Sequence, residues 1–277
     1  MPEALLDIKN IIFDYSKGGR ALAGVDFTVT AGEFVALAGR NGSGKTTLTR
    51  LAMALLKPTG GSIVFQGQNT LSLTPADMAR SIGYVFQNPD RQIFRDTVGK
   101  EVAYGPEQLG FRPEAINEAV AEALSMTGLT ELAGSFPRTL SRGQKQKVAI
   151  ASAIAMKPKM LILDEPTSGQ DPWEVETLME LLVGLNKQDI TIILVTHDME
   201  LIAKYATRAV VLDKGRKVFD GAPADLFDGG REIAEWGLMP PAAVALSQQL
   251  NGINGKDAAE LTELVSRAIK QGREDYA

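Results

Sequence analysis

The chain has 277 residues, with no cysteine, one histidine, two tryptophans and only 6% aromatic residues. Without cysteine neither a disulfide framework nor a thiolate metal site is possible. Basic charge is also short: 29 Lys and Arg against 34 Asp and Glu leave a net charge of -5, which argues against nucleic acid as the main partner. No apolar run approaches the roughly 18 residues of a membrane span. The richest, Val148 to Met156, is short and flanked by lysines, so any membrane role is expected to be peripheral. Met1-Pro2-Glu3-Ala4-Leu5-Leu6-Asp7 has no basic start before an apolar run, so no secretory signal is expected. What remains is 44% hydrophobic and 23% charged. That balance fits a globular protein with one large or two smaller domains and a sizeable core.

Leu6 to Ile11 and Val25 to Val29 alternate apolar and polar residues, as half-exposed strands do, and Ser16-Lys17-Gly18-Gly19 between them predicts a hairpin turn. Phe34 to Ala38 is apolar throughout, as a buried parallel strand requires, and similar runs recur at Gly83 to Phe86, Met160 to Leu163 and Thr191 to Val195. Helical patterns between them predict an α/β fold: a mostly parallel core sheet with an N-terminal antiparallel β subdomain. Residues 87–157 read as a helical insertion. Within it Glu114, Glu118 and Glu122 repeat on one face, with Ile116, Val120 and Ala123 opposite. From Pro223 the pattern is helical again, broken at Pro240-Pro241, and Leu261, Leu264, Val265 and Ala268 form an apolar stripe. The expected division is a main domain over residues 1–222 and a C-terminal extension over residues 223–277.

Gly39-Arg40-Asn41-Gly42-Ser43-Gly44-Lys45-Thr46 fits the eight-residue phosphate-loop (P-loop) pattern, between an apolar strand and a helical run expected from Thr47 to Leu56. Glycines let backbone N–H groups curl around phosphate oxygens, and the following helix start adds attraction. Lys45 would reach the β- and γ-phosphates of a bound nucleotide, and the Thr46 hydroxyl would ligate Mg²⁺. The strand Met160 to Leu163 ends in Asp164-Glu165, placing two carboxylates at the edge of the crevice where such sheets bind ligands. Alone, that pair reads as a solvated turn. After a phosphate loop, Asp164 is assigned to Mg²⁺ and Glu165 to polarising the attacking water.

Leu140-Ser141-Arg142-Gly143-Gln144 has capping-box spacing, Ser141 with Gln144 three residues later, and predicts a helix from Arg142 towards Met156. Taken alone it is an ordinary capped helix. Taken with the phosphate loop upstream and Asp164-Glu165 downstream, the chain resembles the ATP-binding subunits of ABC transporters over nearly its whole length.

That resemblance implies a P-loop NTPase core and a pair of ATPase subunits, identical or paralogous, in which Leu140 to Gln144 contacts the γ-phosphate bound by the opposite subunit. The family's usual third signature residue is Gly, where this chain has Arg142. Gln87 is similar to the glutamine that senses Mg²⁺, and His197 to the switch histidine beside the γ-phosphate. Ser168-Gly169-Gln170-Asp171 matches the loop at the dimer contact, with Gln170 a departure from the usual residue before the Asp. Tyr15 falls where an aromatic stacks on adenine, with packing on the core as its alternative, and Thr47 is assigned with Gly39 to Thr46 to nucleotide binding.

Phe86 to Phe94, together with Val98, Glu101 to Glu107 and Leu109-Gly110, resembles the energy-coupling factor ATPases. These drive prokaryotic uptake of vitamins and of nickel or cobalt. Glu235-Trp236-Gly237-Leu238-Met239-Pro240-Pro241 is similar to that group's C-terminal extension, which helps hold two ATPases together. The resemblance implies a peripheral place on the cytoplasmic membrane face and a groove near residues 87–111 for a transmembrane coupling subunit. A substrate-binding membrane protein would be served indirectly. The alternatives are another class of ABC ATPase, including soluble ones of repair or translation, a P-loop kinase, and a nucleotide-dependent scaffold.

Overall fold

The computed structural model describes residues 4–16, 18–227, 233–249 and Glu263. β1 (Ala4–Tyr15) and β2 (Gly19–Thr30) form the expected antiparallel hairpin, with Tyr15 opposite Gly19. β1 runs beyond Ile11 because the break in alternation at Lys9-Asn10 is a bulge. Asn10 adopts φ 46°, its N–H donates to Asp26 Oδ1 at 2.7 Å, and the pairing register shifts there.

β3 (Phe34–Ala38) leads through the glycine-rich loop into α1 (Lys45–Ala52). That helix is shorter than the expected Thr47 to Leu56, because Ala54 turns left-handed at φ 54° and ends it. β4 (Gly60–Phe65) and β5 (Gln68–Asn69) complete a four-stranded sheet of order β2-β1-β4-β5. After α2 (Pro75–Ala79) comes β6 (Ile82–Val85), one residue out of register with the expected Gly83 to Phe86.

The inserted segment carries α3 (Val98–Gln108), α4 (Pro113–Met126) and α5 (Arg142–Ala155). α4 buries Ala119, Ala123 and Leu124 and exposes Glu114, Glu118 and Glu122, as its pattern requires. Then follow β7 (Met160–Asp164), α6 (Pro172–Asn186), β8 (Thr191–Val195), α7 (Met199–Tyr205), β9 (Arg208–Asp213), β10 (Arg216–Gly221), α8 (Pro223–Phe227) and α9 (Ala242–Gln249). The stripe of Leu261, Leu264, Val265 and Ala268 lies outside the described residues.

The central sheet has the order β10-β9-β3-β8-β7-β6, parallel from β9 to β6 with β10 antiparallel at one edge. Every residue of β3, β7 and β8 is buried, which is why these strands read as unbroken apolar runs. Alternate residues face opposite sides. Val35, Leu37 and Ile193 pack towards the small antiparallel sheet with Ile8, Leu22 and Ile63. Phe34, Leu161 and Leu194 pack on the other side with Val102, Val148 and Ile150 of the inserted helices. Residues 87–157 therefore share one core with the sheet. Gly83 permits that approach, since a Cβ there would lie 2.6 Å from Leu161 Cδ2 and 3.1 Å from Ala153 Cβ. Ile233 and Leu238 pack in a third cluster with Ala36, Ala38 and Val211.

Candidate nucleotide site

The carboxyl ends of β3, β6, β7 and β8 open at one end of the sheet, and each delivers a residue or loop to the same place. From β3 comes the loop Gly39 to Thr46. Gly39, Gly42 and Gly44 take φ of 141°, 81° and 106°, and a Cβ on Gly39 would collide with the Leu212 carbonyl. Arg40 and Asn41 are exposed. Lys45 folds back, donating to Gly39 O at 2.6 Å and Arg40 O at 3.0 Å. Burial pushes its ammonium pKa down, while the Glu165 and Asp164 carboxylates oppose that shift. Ser43 Oγ is buried with no hydrogen-bond partner among the described residues. α1 has no side-chain cap and no acidic residue in its first turn, so its N–H groups lack side-chain acceptors. A buried lysine, an orphaned hydroxyl and an uncapped helix start together form a cradle for phosphate.

At the end of β7, Asp164 is 5% exposed. Its Oδ1 accepts from Thr46 Oγ1 at 3.2 Å and its Oδ2 from Tyr84 OH at 3.4 Å. The hydroxyl, the carboxylate and the nearby Gln87 amide are hard oxygen donors of the kind Mg²⁺ takes. No group of three His, Cys, Asp or Glu that could hold a metal ion is gathered among the described residues. Burial raises the Asp164 pKa. Folding thus penalises its ionised form at neutral pH, and the penalty is relieved as pH falls through the raised value. Asp164→Asn is accordingly expected to raise the melting temperature of the nucleotide-free protein, by roughly 2–4 °C per kcal/mol relieved. It should weaken Mg²⁺-dependent ATP binding at the same time. Calorimetry with and without Mg-ATP measures both.

Glu165 follows with φ 48°, and its N–H donates to Val195 O at 2.9 Å, which turns the side chain out of the sheet into the cleft. Three loops reach that carboxylate. Gln87 Nε2 donates to Oε2 at 3.0 Å, Ser168 Oγ donates to Oε2 at 3.3 Å, and His197 Nδ1 stands 3.4 Å from Oε1. Residues 78 apart in sequence, Gln87 and Glu165, are thereby joined. Tyr15 is 40% exposed, with its hydroxyl 3.1 Å from Thr47 Oγ1 and its ring edge-on to Phe13, so it stands beside α1.

Ser141 and Gln144 make the capping box in both directions: Gln144 N–H donates to Ser141 Oγ at 3.2 Å and Ser141 N–H to Gln144 Oε1 at 2.9 Å. No hydrogen bond or ion pair among the described residues joins Leu140 to Gln144 with the phosphate loop of the same chain. The Arg142 guanidinium lies instead on Gly169, and the Glu174 carboxylate lies against Gly143. Gln170 Nε2 donates to Pro166 O at 3.0 Å, and Asp171 caps α6 by accepting from Glu174 N–H at 2.9 Å. Two residues gave no sign in the sequence of the contacts they make. Tyr84 reaches both Asp164 and Thr49 from within a strand. Glu101, 4% exposed, accepts from the N–H groups of Phe94 at 2.9 Å and Arg95 at 2.7 Å.

A parallel sheet carrying a phosphate cradle and two carboxylates at its carboxyl edge defines a P-loop nucleotide-binding protein. The ABC transporter family matches residues 22–168. An energy-coupling factor transporter ATP-binding protein, EcfA of Methanocaldococcus jannaschii, is 39% identical over 251 residues, covering 89% of each chain. Among solved structures, CbiO1 of Clostridium perfringens, part of the ABC transporter complex CbiONQ, aligns with a TM-score of 0.77 and 36% identity over 89% of this chain and 99% of its own. An ATP-binding cassette solved as a dimer in a post-hydrolysis state with ADP and Pi aligns with a TM-score of 0.72 and 30% identity over 79% of this chain and 98% of its own. The chain belongs to the ABC transporter family, as an ATP-binding subunit of the energy-coupling factor type. It spans less than half the length of some curated ABC relatives, such as the 46% it covers of one from Caldanaerobacter subterraneus subsp. tengcongensis.

Proposed function

We propose that this chain is the ATP-hydrolysing subunit of an energy-coupling factor importer for a vitamin or for cobalt or nickel ions. The observation that carries the reading is the gathering of Gln87, Ser168 and His197 on the Glu165 carboxylate beside a phosphate cradle. Lys45 and the Gly39 to Thr46 backbone would bind the ATP phosphates, and Tyr15 would stack on the adenine. Thr46, Asp164 and Gln87 would hold Mg²⁺, which when bound neutralises phosphate charge. Glu165 would take a proton from the attacking water, with His197 beside the γ-phosphate.

The signature Leu140 to Gln144 makes no bond with its own phosphate loop, in keeping with a site completed by a second ATPase subunit. Two subunits would close on two ATP molecules, because a γ-phosphate bridged by both favours the closed state, and hydrolysis would open them. Residues 223–277 would contribute to that contact. CbiO1 is described as part of a transporter complex, and no described helix here is long and apolar enough to cross a membrane. Both support a peripheral subunit on the cytoplasmic membrane face.

A groove lined by Ala76, Arg80, Phe94, Tyr104, Gln108 and Met156 is the proposed seat of a helix of the transmembrane subunit. Phe94 is 60% exposed and stands edge-on to Tyr104 at 4.9 Å, over which Arg95 Cζ sits at 4.5 Å. Buried Glu101 fixes this loop through two backbone N–H groups. An exposed aromatic on a rigid support is the usual anchor of an interface, worth about 2 kcal/mol or more on truncation. Phe94→Ala is expected to lower ATP-driven uptake by the assembled complex at least about tenfold while hydrolysis by the isolated ATPase stays within about twofold. Loss of the isolated ATPase activity instead would count against the groove. Phosphate release from ATP with no acceptor present separates this reading from a kinase.

A further inference from the structure

Arg142 stands where a signature of this kind usually has glycine, and its side chain does something a glycine could not. The guanidinium covers Gly169: a Cβ there would lie 2.6 Å from Nη1, 3.0 Å from Cζ and 3.5 Å from Nε. Gly169 holds φ 74°, so the guanidinium rests on bare backbone in the space a side chain would need. Arg142 is exposed and makes no hydrogen bond or ion pair among the described residues, so packing alone keeps it there.

The loop beneath it is stiff. Ser168 N–H donates to Glu165 O at 3.2 Å, Gln170 N–H to Thr167 O at 3.2 Å, and Gln170 Nε2 to Pro166 O at 3.0 Å. Ser168 Oγ donates to Glu165 Oε2 at 3.3 Å, the same oxygen that accepts from Gln87. A displacement at Gly169 therefore reaches the Glu165 carboxylate within four residues. A second contact, Glu174 against Gly143, ties the start of α6 to the start of α5.

We propose that Arg142 is a positioning residue that couples the two nucleotide sites of the ATPase pair. Resting on Gly169, it fixes the loop whose Ser168 occupies one oxygen of Glu165. A γ-phosphate presented by the partner subunit attracts the unpaired guanidinium, frees Gly169 and lets Ser168 release that oxygen for the attacking water. Each subunit's base is thus readied by nucleotide held on the other. The inference rests on the shared-site reading above.

The test is a double-mutant cycle on the steady-state ATPase of the full chain, with Arg142→Ala, Arg142→Lys and Ser168→Ala. Coupling free energies between sites correspond to factors of about 5–150, and Arg142→Ala, which frees Gly169 without the partner's phosphate, is expected to raise turnover at sub-saturating ATP about tenfold and bring the Hill coefficient for ATP to about one. Arg142→Lys keeps the charge but not the planar group that covers Gly169, so it should retain ATP-driven dimer formation yet lose the cooperativity. With Ser168 already alanine, removing Arg142 should have little further effect on turnover. Additive effects at the two positions, a loss of turnover in Arg142→Ala, or wild-type cooperativity in Arg142→Lys would overturn the proposal. Light scattering of Glu165→Gln with ATP separates the two levels. Absence of a dimer there removes the shared site itself, whereas a dimer with additive Arg142 and Ser168 effects removes only the coupling.

Discussion

Glu165→Gln is expected to abolish turnover while leaving ATP bound. A positioned general base contributes a factor of about 10²–10⁴ to a rate, and the kcat for phosphate release should fall by that much. The substitution should not disturb the fold. The φ of 48° at this position and the N–H bond to Val195 O are backbone features, and the amide oxygen can still accept from Gln87 and Ser168. If two subunits share the sites as proposed, ATP that binds without being cleaved would keep both γ-phosphates bridged, so gel filtration with Mg-ATP should shift the variant from monomer to dimer. ADP should give no shift. Hydrolysis at the native rate would take the base role away from Glu165.

Lys45→Ala should fail one step earlier, at binding. Lys45 is 5% exposed, and its ammonium is held by two backbone carbonyls in an apolar setting that lowers its pKa. A lowered lysine pKa means that the unfolded chain binds the proton more tightly. The charged form is therefore a cost to folding, relieved as pH rises through the lowered value. The fold retains that charge where phosphate would offset its burial. A hydrogen bond to a charged group is worth about 1.5–3 kcal/mol, so ATP affinity should drop roughly 10- to 150-fold. Native protein at 100 times its Kd for ATP gains about 2.7 kcal/mol of stability. In Lys45→Ala that gain should nearly vanish, with the nucleotide-free melting temperature unchanged or slightly higher. An undiminished thermal shift with ATP would place the phosphates elsewhere.

The parts of the site legible from sequence are those where local chemistry and position coincide. A glycine-rich loop between an apolar strand and a helix can hardly serve another purpose, and Asp164-Glu165 gains meaning from standing downstream of it. Parallel strands were readable because both their faces are covered, leaving no polar alternation to confuse them. Contacts made by the fold were not legible. Tyr84 looks like any strand residue until its hydroxyl is found on Asp164. Glu101 looks like a helix-surface charge until it is found buried under the Phe94 loop. Helix ends were misjudged where apolar residues continue past a stop: Leu55 and Leu56 prolong the pattern of α1, but Ala54 has already turned the chain. Arg142 was visible as an oddity, and only its approach to Gly169 gives it a partner.

The third core cluster bears on where this protein could be shortened. Ile233 and Leu238 pack with Ala36 and Ala38 of the strand that feeds the phosphate loop, and Gly237 lies directly against the Arg40 side chain. Ala242 N–H donates to Glu200 Oε1 at 2.8 Å, one turn beyond His197-Asp198. A fragment cut after residue 222 would bare this patch and remove the contacts on Arg40 and Glu200. Trimming that ends beyond Ala242 keeps the flank of the nucleotide site closed.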